Sequence, residues 1–198
     1  MRPVERDEAI GVIARAMSDS PQHVAAFGDD HERIRRNLTR MFRSLFATVR
    51  GQRPLVARLD GRIVAATNDL RDGGCQPTVA EKLRLAPAIL GAGPRALPRV
   101  GRWLADWERR DPDAPHSHYG PFGVEPALQG RGIGSLVLGE YTRDLDARRM
   151  DAYLETDKPE NVALYSRFGF EVIDEGAVLG TPNWFMWREA GADAPATH

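Results

Sequence analysis

Three glycines, Gly130, Gly132 and Gly134, stand where an apolar helical pattern begins, although glycine is a poor helix former. Residues without a Cβ let backbone approach an anion closely and take dihedrals that other residues avoid. The unpaired N–H groups of a helix start then bind that anion, with the helix dipole behind them. Gln129, Gly132 and Gly134 fit the pattern Gln/Arg-x-x-Gly-x-Gly/Ala, and Arg131 adds a charge at the rim. Two other phosphate cradles are excluded. A P-loop needs a lysine, and none lies between Gly123 and Met150. The dinucleotide fingerprint needs a further glycine where Ser135 or Val137 stands. The plain alternative is a tight strand-to-helix connection that uses glycine for packing.

Other residues invite chemistry with less force. His116 and His118 are two apart on an expected strand and so share one face, as metal ligands can. With no cysteine or clear third ligand beside them in sequence, no metal is expected. The single cysteine, Cys75, sits in a turn-like stretch without a neighbouring histidine, so a catalytic thiol is not expected. Asn161 and Tyr165 are four apart in a short helical stretch and share a face.

The elements that must position these residues follow from apolar periodicity. Helices are expected over Glu5–Met17 and Asp29–Val49, and a hairpin over Pro54–Thr67 turns at Asp60-Gly61. Interrupted helices follow around Val79–Leu90 and Leu97–Glu108. A strand His116–Val124 leads into the glycine loop and a helix from Ser135 to about Arg149. Strand Asp151–Thr156, helix Glu160–Phe168, and strands Glu171–Asp174 and Asn183–Trp187 complete the order. That order implies an α/β protein with a mixed sheet rather than a doubly wound one. One domain over residues 1–189 is expected, with a small polar tail, 190–198, that frays.

The chain of 198 residues has 27 basic and 28 acidic side chains, a formal net charge of -1. That balance gives no bulk electrostatic case for nucleic acid or membrane as a partner. The first residues are charged rather than signal-like, and a lone cysteine suits a reducing cytoplasm, so a cytoplasmic location is expected.

Residues 123–134, from Gly123-Val-Glu-Pro to Gly-Ile-Gly134, resemble the acetyl-CoA motif of the GNAT family of N-acetyltransferases. Residues 153–170, from Tyr153-Leu-Glu-Thr to Phe-Gly-Phe170, resemble that family's second signature, in the same order and at the same spacing. Within the family the likeness is to the puromycin N-acetyltransferases, through chain length, Leu154-Glu-Thr followed by Pro-x-Asn, and Trp184-x-Met186. The resemblance implies the GNAT fold: a mostly antiparallel mixed sheet whose central pair, His116–Val124 and Asp151–Thr156, splays to admit acetyl-CoA.

It further implies that backbone at Phe122, Gly123 and Val124 holds the pantetheine arm. Gln129, Gly130, Arg131, Gly132, Ile133, Gly134 and Ser135 hold the pyrophosphate, Asn161 touches the arm, and Tyr165 protonates the departing thiolate. A backbone N–H near Phe122 serves as the oxyanion donor. For the general base, Glu155 comes first and His118 second, the latter because its ordinary pKa suits neutral pH. Acetyl-CoA as co-substrate, no metal, a small-molecule amine acceptor such as an aminonucleoside antibiotic, and a possible homodimer complete the expectation. A non-catalytic acyl-CoA sensor, a longer acyl chain and a protein amine remain open beside it. The acceptor, acyl length and base identity carry no motif.

Overall fold

The computed structural model describes residues 3–70 and 77–192. Cys75 and the tail beyond residue 192 lie outside the described residues, so the expectations for them are not addressed. The chain begins with α1 (Pro3–Ala16), α2 (Pro21–Phe27) and α3 (His31–Thr48), then the hairpin β1 (Leu55–Leu59) and β2 (Arg62–Leu70). Helices α4 (Val79–Leu90) and α5 (Leu97–Glu108) follow, at the bounds expected from sequence. The second half runs β3 (Ser117–Val124), α6 (Ile133–Arg148), β4 (Ala152–Thr156), α7 (Pro159–Ser166), β5 (Glu171–Val178) and β6 (Thr181–Arg188).

The strands form one sheet in the order β1-β2-β3-β4-β6-β5. Every neighbouring pair is antiparallel except β3 with β4. Alternation along β4 shows how the layers form. Tyr153 turns to a core built from α1, α2, α3 and α5, while Ala152 and Leu154 turn to a second core under α6 and α7. Both faces are covered, which is why this strand reads as an apolar run in the sequence. No helix among the described residues is long and apolar enough to cross a membrane.

Helix α2 has no counterpart in the sequence reading. Its N-cap Ser20 makes no capping bond of its own to the helix. The cap comes from across the fold: Asp157, just after β4, accepts the Gln22 N–H at 2.7 Å and the Ser20 hydroxyl. A carboxylate at a helix N-terminus satisfies an orphan donor and complements the dipole. Seven residues with a remote cap leave little trace in local sequence.

The end of β6 is tied down by an ion pair. Arg188, with 3% of its side chain exposed, forks onto Asp146 of α6 with N–O distances of 2.7 and 2.9 Å. Its Nε also donates to the Phe168 carbonyl at 2.8 Å. Asp146→Ala leaves that guanidinium buried without its carboxylate, and the expected loss is about 2–3 kcal/mol in urea unfolding. The Arg188 hydrogen bonds also hold the Asp146 pKa below its ordinary value. A depressed carboxylate contributes stability that is present above its unfolded pKa and lost as pH falls through the folded one. In wild type that contribution begins to fade below about pH 3.9, and the Ala variant lacks this component.

Candidate functional site

The parallel ladder between β3 and β4 consists of two pairs, Ser117 with Ala152 and His118 with Tyr153. Beyond them the strands part. On its other edge β3 keeps pairing with β2 as far as Val124, and the Glu125 N–H continues that ladder by donating to the Val64 carbonyl at 2.8 Å. In an antiparallel pair the N–H and C=O of one residue face the same partner strand, and alternate residues face opposite sides. Glu125 and Gly123 therefore address β2, while Phe122 and Val124 turn their backbone groups into the opening.

Gly123 thus serves the site in a way the sequence did not suggest. A Cβ on it would lie 2.7 Å from the Ala16 Cβ and 2.9 Å from the Ile13 Cα. Its missing side chain lets α1 pack directly on β3. The Val124 carbonyl, in turn, accepts a hydrogen bond from Gln129 Nε2 at 3.1 Å, which fixes the loop at its start.

In that loop Gly130 and Gly132 have φ of +74° and +79°, in the left-handed region. A Cβ on either would meet nothing within 4 Å, so open space lies in front of both. Gly132 is the N-cap of α6 and carries no capping side chain. The first bond inside the helix runs from Leu136 N–H to Gly132 C=O at 3.0 Å, leaving the N–H groups of Ile133, Gly134 and Ser135 directed outward. Gly134 differs from its two neighbours. Its φ is ordinary, and a Cβ there would touch the Phe122 ring at 3.6 Å, a normal contact.

The opening and the loop belong to one cavity of about 790 Å³. His118, Phe122, Gly123, Val124, Glu155, Asn161 and Tyr165 line it together with Gln129, Gly130, Gly132, Ile133, Gly134 and Ser135. Arg131 is exposed and does not contribute to the lining. Apolar and aromatic side chains form another part of the lining: Met17 from the loop after α1, Met41 and Phe42 from α3, and Trp103 and Trp107 from α5.

The titratable groups approach the cavity from different faces of the sheet. Glu155 follows Tyr153 by two and so shares its side, that of α1 and α3. His118 Nε2 lies 2.9 Å from Glu155 Oε2, so the two candidate bases form one hydrogen-bonded unit. A carboxylate only accepts, which makes the His118 Nε2–H the donor. Tyr165 comes from the α6–α7 side, packed against Tyr119 and Phe170 with ring centroids 6.2 and 6.0 Å away. Burial, with the charge of Asp157 behind it, pushes the Tyr165 pKa well above that of a free phenol. Asn161, one helical turn before it, donates to Thr156 Oγ1 at 3.1 Å.

The pair His116 and His118 does have a third potential ligand nearby, Asp111 from the loop after α5. Asp111 Oδ1 is 3.4 Å from His116 Nε2 and 3.4 Å from His118 Nδ1. Asp111 precedes the strand by a proline-containing loop that folds back, and no sequence spacing announces that return. Asp157 was also missed, for the same reason: its role is made by α2, which arrives from the other end of the chain.

The model of the acetyltransferase (GNAT) family matches residues 19–170. Among solved structures, one described as a histone acetyltransferase and related acetyltransferase from Corynebacterium glutamicum superposes with a TM-score of 0.70 at 19% identity, covering 100% of this chain and 96% of that one. A GNAT family acetyltransferase from Brucella melitensis in complex with acetyl-CoA gives 0.53 at 18% identity, covering 100% and 90%. A ribosomal-protein-alanine N-acetyltransferase from Escherichia coli gives 0.53 at 12%, covering 100% and 96%.

Proposed function

We propose, from the premise that this chain belongs to the acetyltransferase (GNAT) family, that it transfers an acetyl group from acetyl-CoA to the amine of a small molecule with an apolar or aromatic body. The observation that carries this reading is the single cavity reached by the glycine loop, by Glu155 and by Tyr165. The residues present suit acetyl-CoA. Open space faces Gly130 and Gly132, α6 lacks a capping side chain, and the Phe122 backbone points into a gap between strands. Gln129 to Ser135 would hold the pyrophosphate, and Phe122 and Val124 would address the amide-rich arm as a neighbouring strand does. Asn161 would reach the arm by giving up its bond to Thr156. The co-substrate supplies an activated acyl group on a thiol leaving group.

The protein's own groups then do three things. Glu155, held by His118, takes a proton from the bound ammonium, so that a neutral amine can attack the thioester carbon. The Phe122 N–H stabilises the oxyanion as the carbon–nitrogen bond forms. Tyr165 gives its proton to the thiolate as the carbon–sulfur bond breaks, the nitrogen sheds its second proton to water as the amide forms, and solvent later returns one proton to Tyr165 and removes one from Glu155. Base and acid stand on opposite sides of the sheet, which suits a reaction whose nucleophile enters from one side and whose leaving group departs on the other. The aromatic wall of Phe42, Trp103 and Trp107 favours an acceptor of the puromycin kind over a flexible peptide amine.

The direct test is thiol release from acetyl-CoA over a panel of amines that includes puromycin, with aliphatic and peptide amines beside it. Release with aromatic small-molecule amines, at a kcat/KM at least about tenfold above peptides, is expected from burial of an aromatic body. Release with peptides alone would overturn the acceptor class and keep the transferase. Tight acetyl-CoA binding without release on any amine would turn the assignment to a sensor.

A further inference from the structure

We infer that Asp111, His116 and His118 form a binding site for one divalent transition-metal ion of the zinc class, set directly behind Glu155. One potential ligand atom from each residue comes together, all within 4.8 Å of one another. All three side chains are sheltered, with 6%, 3% and 16% of their surfaces exposed.

The hydrogen bonds behind the imidazoles decide what their inward nitrogens offer. His116 Nδ1 lies 2.7 Å from the Ala114 carbonyl, which can only accept, so the proton is on Nδ1. His118 donates its Nε2–H to Glu155 at 2.9 Å. In the neutral imidazoles, His116 Nε2 and His118 Nδ1 therefore present lone pairs, and both face the same Asp111 oxygen. Two imidazole lone pairs and a carboxylate oxygen converging on one point are a donor set that can take either a cation or a shared proton.

The distances favour the cation. Charge-assisted N–H···O bonds close to about 2.7–2.9 Å, whereas both of these separations are 3.4 Å. Donors about 2.0–2.1 Å from a tetrahedral zinc ion stand about 3.4 Å apart, the edge of the tetrahedron. The outward bonds complete the argument. Metal-ligating histidines characteristically pass their other N–H to a carboxylate or a backbone carbonyl, which fixes tautomer and ring orientation. Here Glu155 and Ala114 fill those two places. Two imidazoles and one carboxylate match the borderline preferences of Zn²⁺, while Mg²⁺ and Ca²⁺ prefer oxygen throughout.

Such an ion would lie one imidazole away from Glu155 and fix the His118 ring toward it, making Asp111 and His116 positioning residues. The inference rests on the His and Asp geometry and does not require the proposed transfer reaction. The test is titration of tag-free, chelator-treated wild-type protein with Zn²⁺ against a chromophoric chelator, and with Co²⁺ followed by visible absorption. One equivalent of Zn²⁺ bound and an intense tetrahedral Co²⁺ band are expected. Asp111→Asn and His116→Gln should each weaken Zn²⁺ binding by more than the roughly 10–100-fold that accompanies loss of a residue behind a ligand. Glu155→Gln, which changes only such a residue, should fall within that range. No stoichiometric uptake by wild type, a weak octahedral Co²⁺ spectrum, or uptake unchanged in folded Asp111→Asn and His116→Gln would each overturn the site. The wild-type spectrum decides the matter even where a variant does not fold.

Discussion

Tyr165→Phe is expected to lower kcat by about 10²–10⁴-fold, the usual contribution of a positioned proton donor. KM for acetyl-CoA should stay near wild type. The substitution removes one oxygen and keeps the ring that packs between Tyr119 and Phe170, so a collapsed site is not the expected cause. Burial keeps the phenol protonated, and because a raised pKa also makes it a weaker acid, its contribution comes from its position beside the leaving sulfur. A hydroxyl whose pKa is raised stays protonated in the resting enzyme and is available to a thiolate that forms beside it. The pH profile separates this role from packing. An acid is active below its pKa and fails above it, so the wild-type alkaline limb attributable to Tyr165 should lie beyond the ordinary phenol value of about 10. In the Phe variant that limb should vanish. A fall in kcat of less than tenfold, with an unchanged profile, would mean that water protonates the thiolate.

Gly132→Val should do the reverse, raising KM for acetyl-CoA while leaving kcat at saturation little changed. A β-branched residue at φ of +79° is a genuine outlier, and a non-glycine residue held there costs of order 1–3 kcal/mol. Relaxing that strain rotates the peptide at the start of α6 and turns its first N–H groups away from the anion. Between strain and lost contacts, an increase of about 10–100-fold in KM is expected. Gly134→Ala is the matched control. Its φ is ordinary and its new methyl would rest at 3.6 Å from Phe122. Where the backbone already suits alanine, replacing glycine stabilises by about 0.4–1 kcal/mol, so this variant should fold at least as well and bind acetyl-CoA normally. Equal effects at 132 and 134 would show that the loop acts through packing rather than through its amides.

The contrast between these glycines marks how far the sequence could be read. Apolar spacing located α4 and α5, and it located the strand–loop–helix of β3 and α6 to within a residue or two. The loop itself was legible because its chemistry is local: glycine, amide and helix start are consecutive in the chain. It was not legible that Gly130 and Gly132 serve conformation while Gly123 makes room for α1, since that depends on Ile13 and Ala16 far upstream. His118 and Glu155 were each singled out. Their bond to one another was not, because it is made across two strands that pair at only two positions. Asp111 and Asp157 escaped altogether. Both are acids in loops, a common residue in a common place, and only the return of the chain against a histidine pair or a helix start gives them a role.

The early end of the β3–β4 ladder has a consequence for solubility as well as for chemistry. Where those strands part, the sheet owns an edge in its middle, with Phe122 and Val124 presenting strand-like backbone groups. An open edge ordinarily recruits strands from other molecules and seeds aggregation. Here the edge lies at the bottom of a walled cavity, roofed by α6 and α7 on one side and by α1 and α3 on the other. Set at the bottom of that cavity, the backbone groups of Phe122 and Val124 are withheld from the edge-to-edge pairing that an open strand invites.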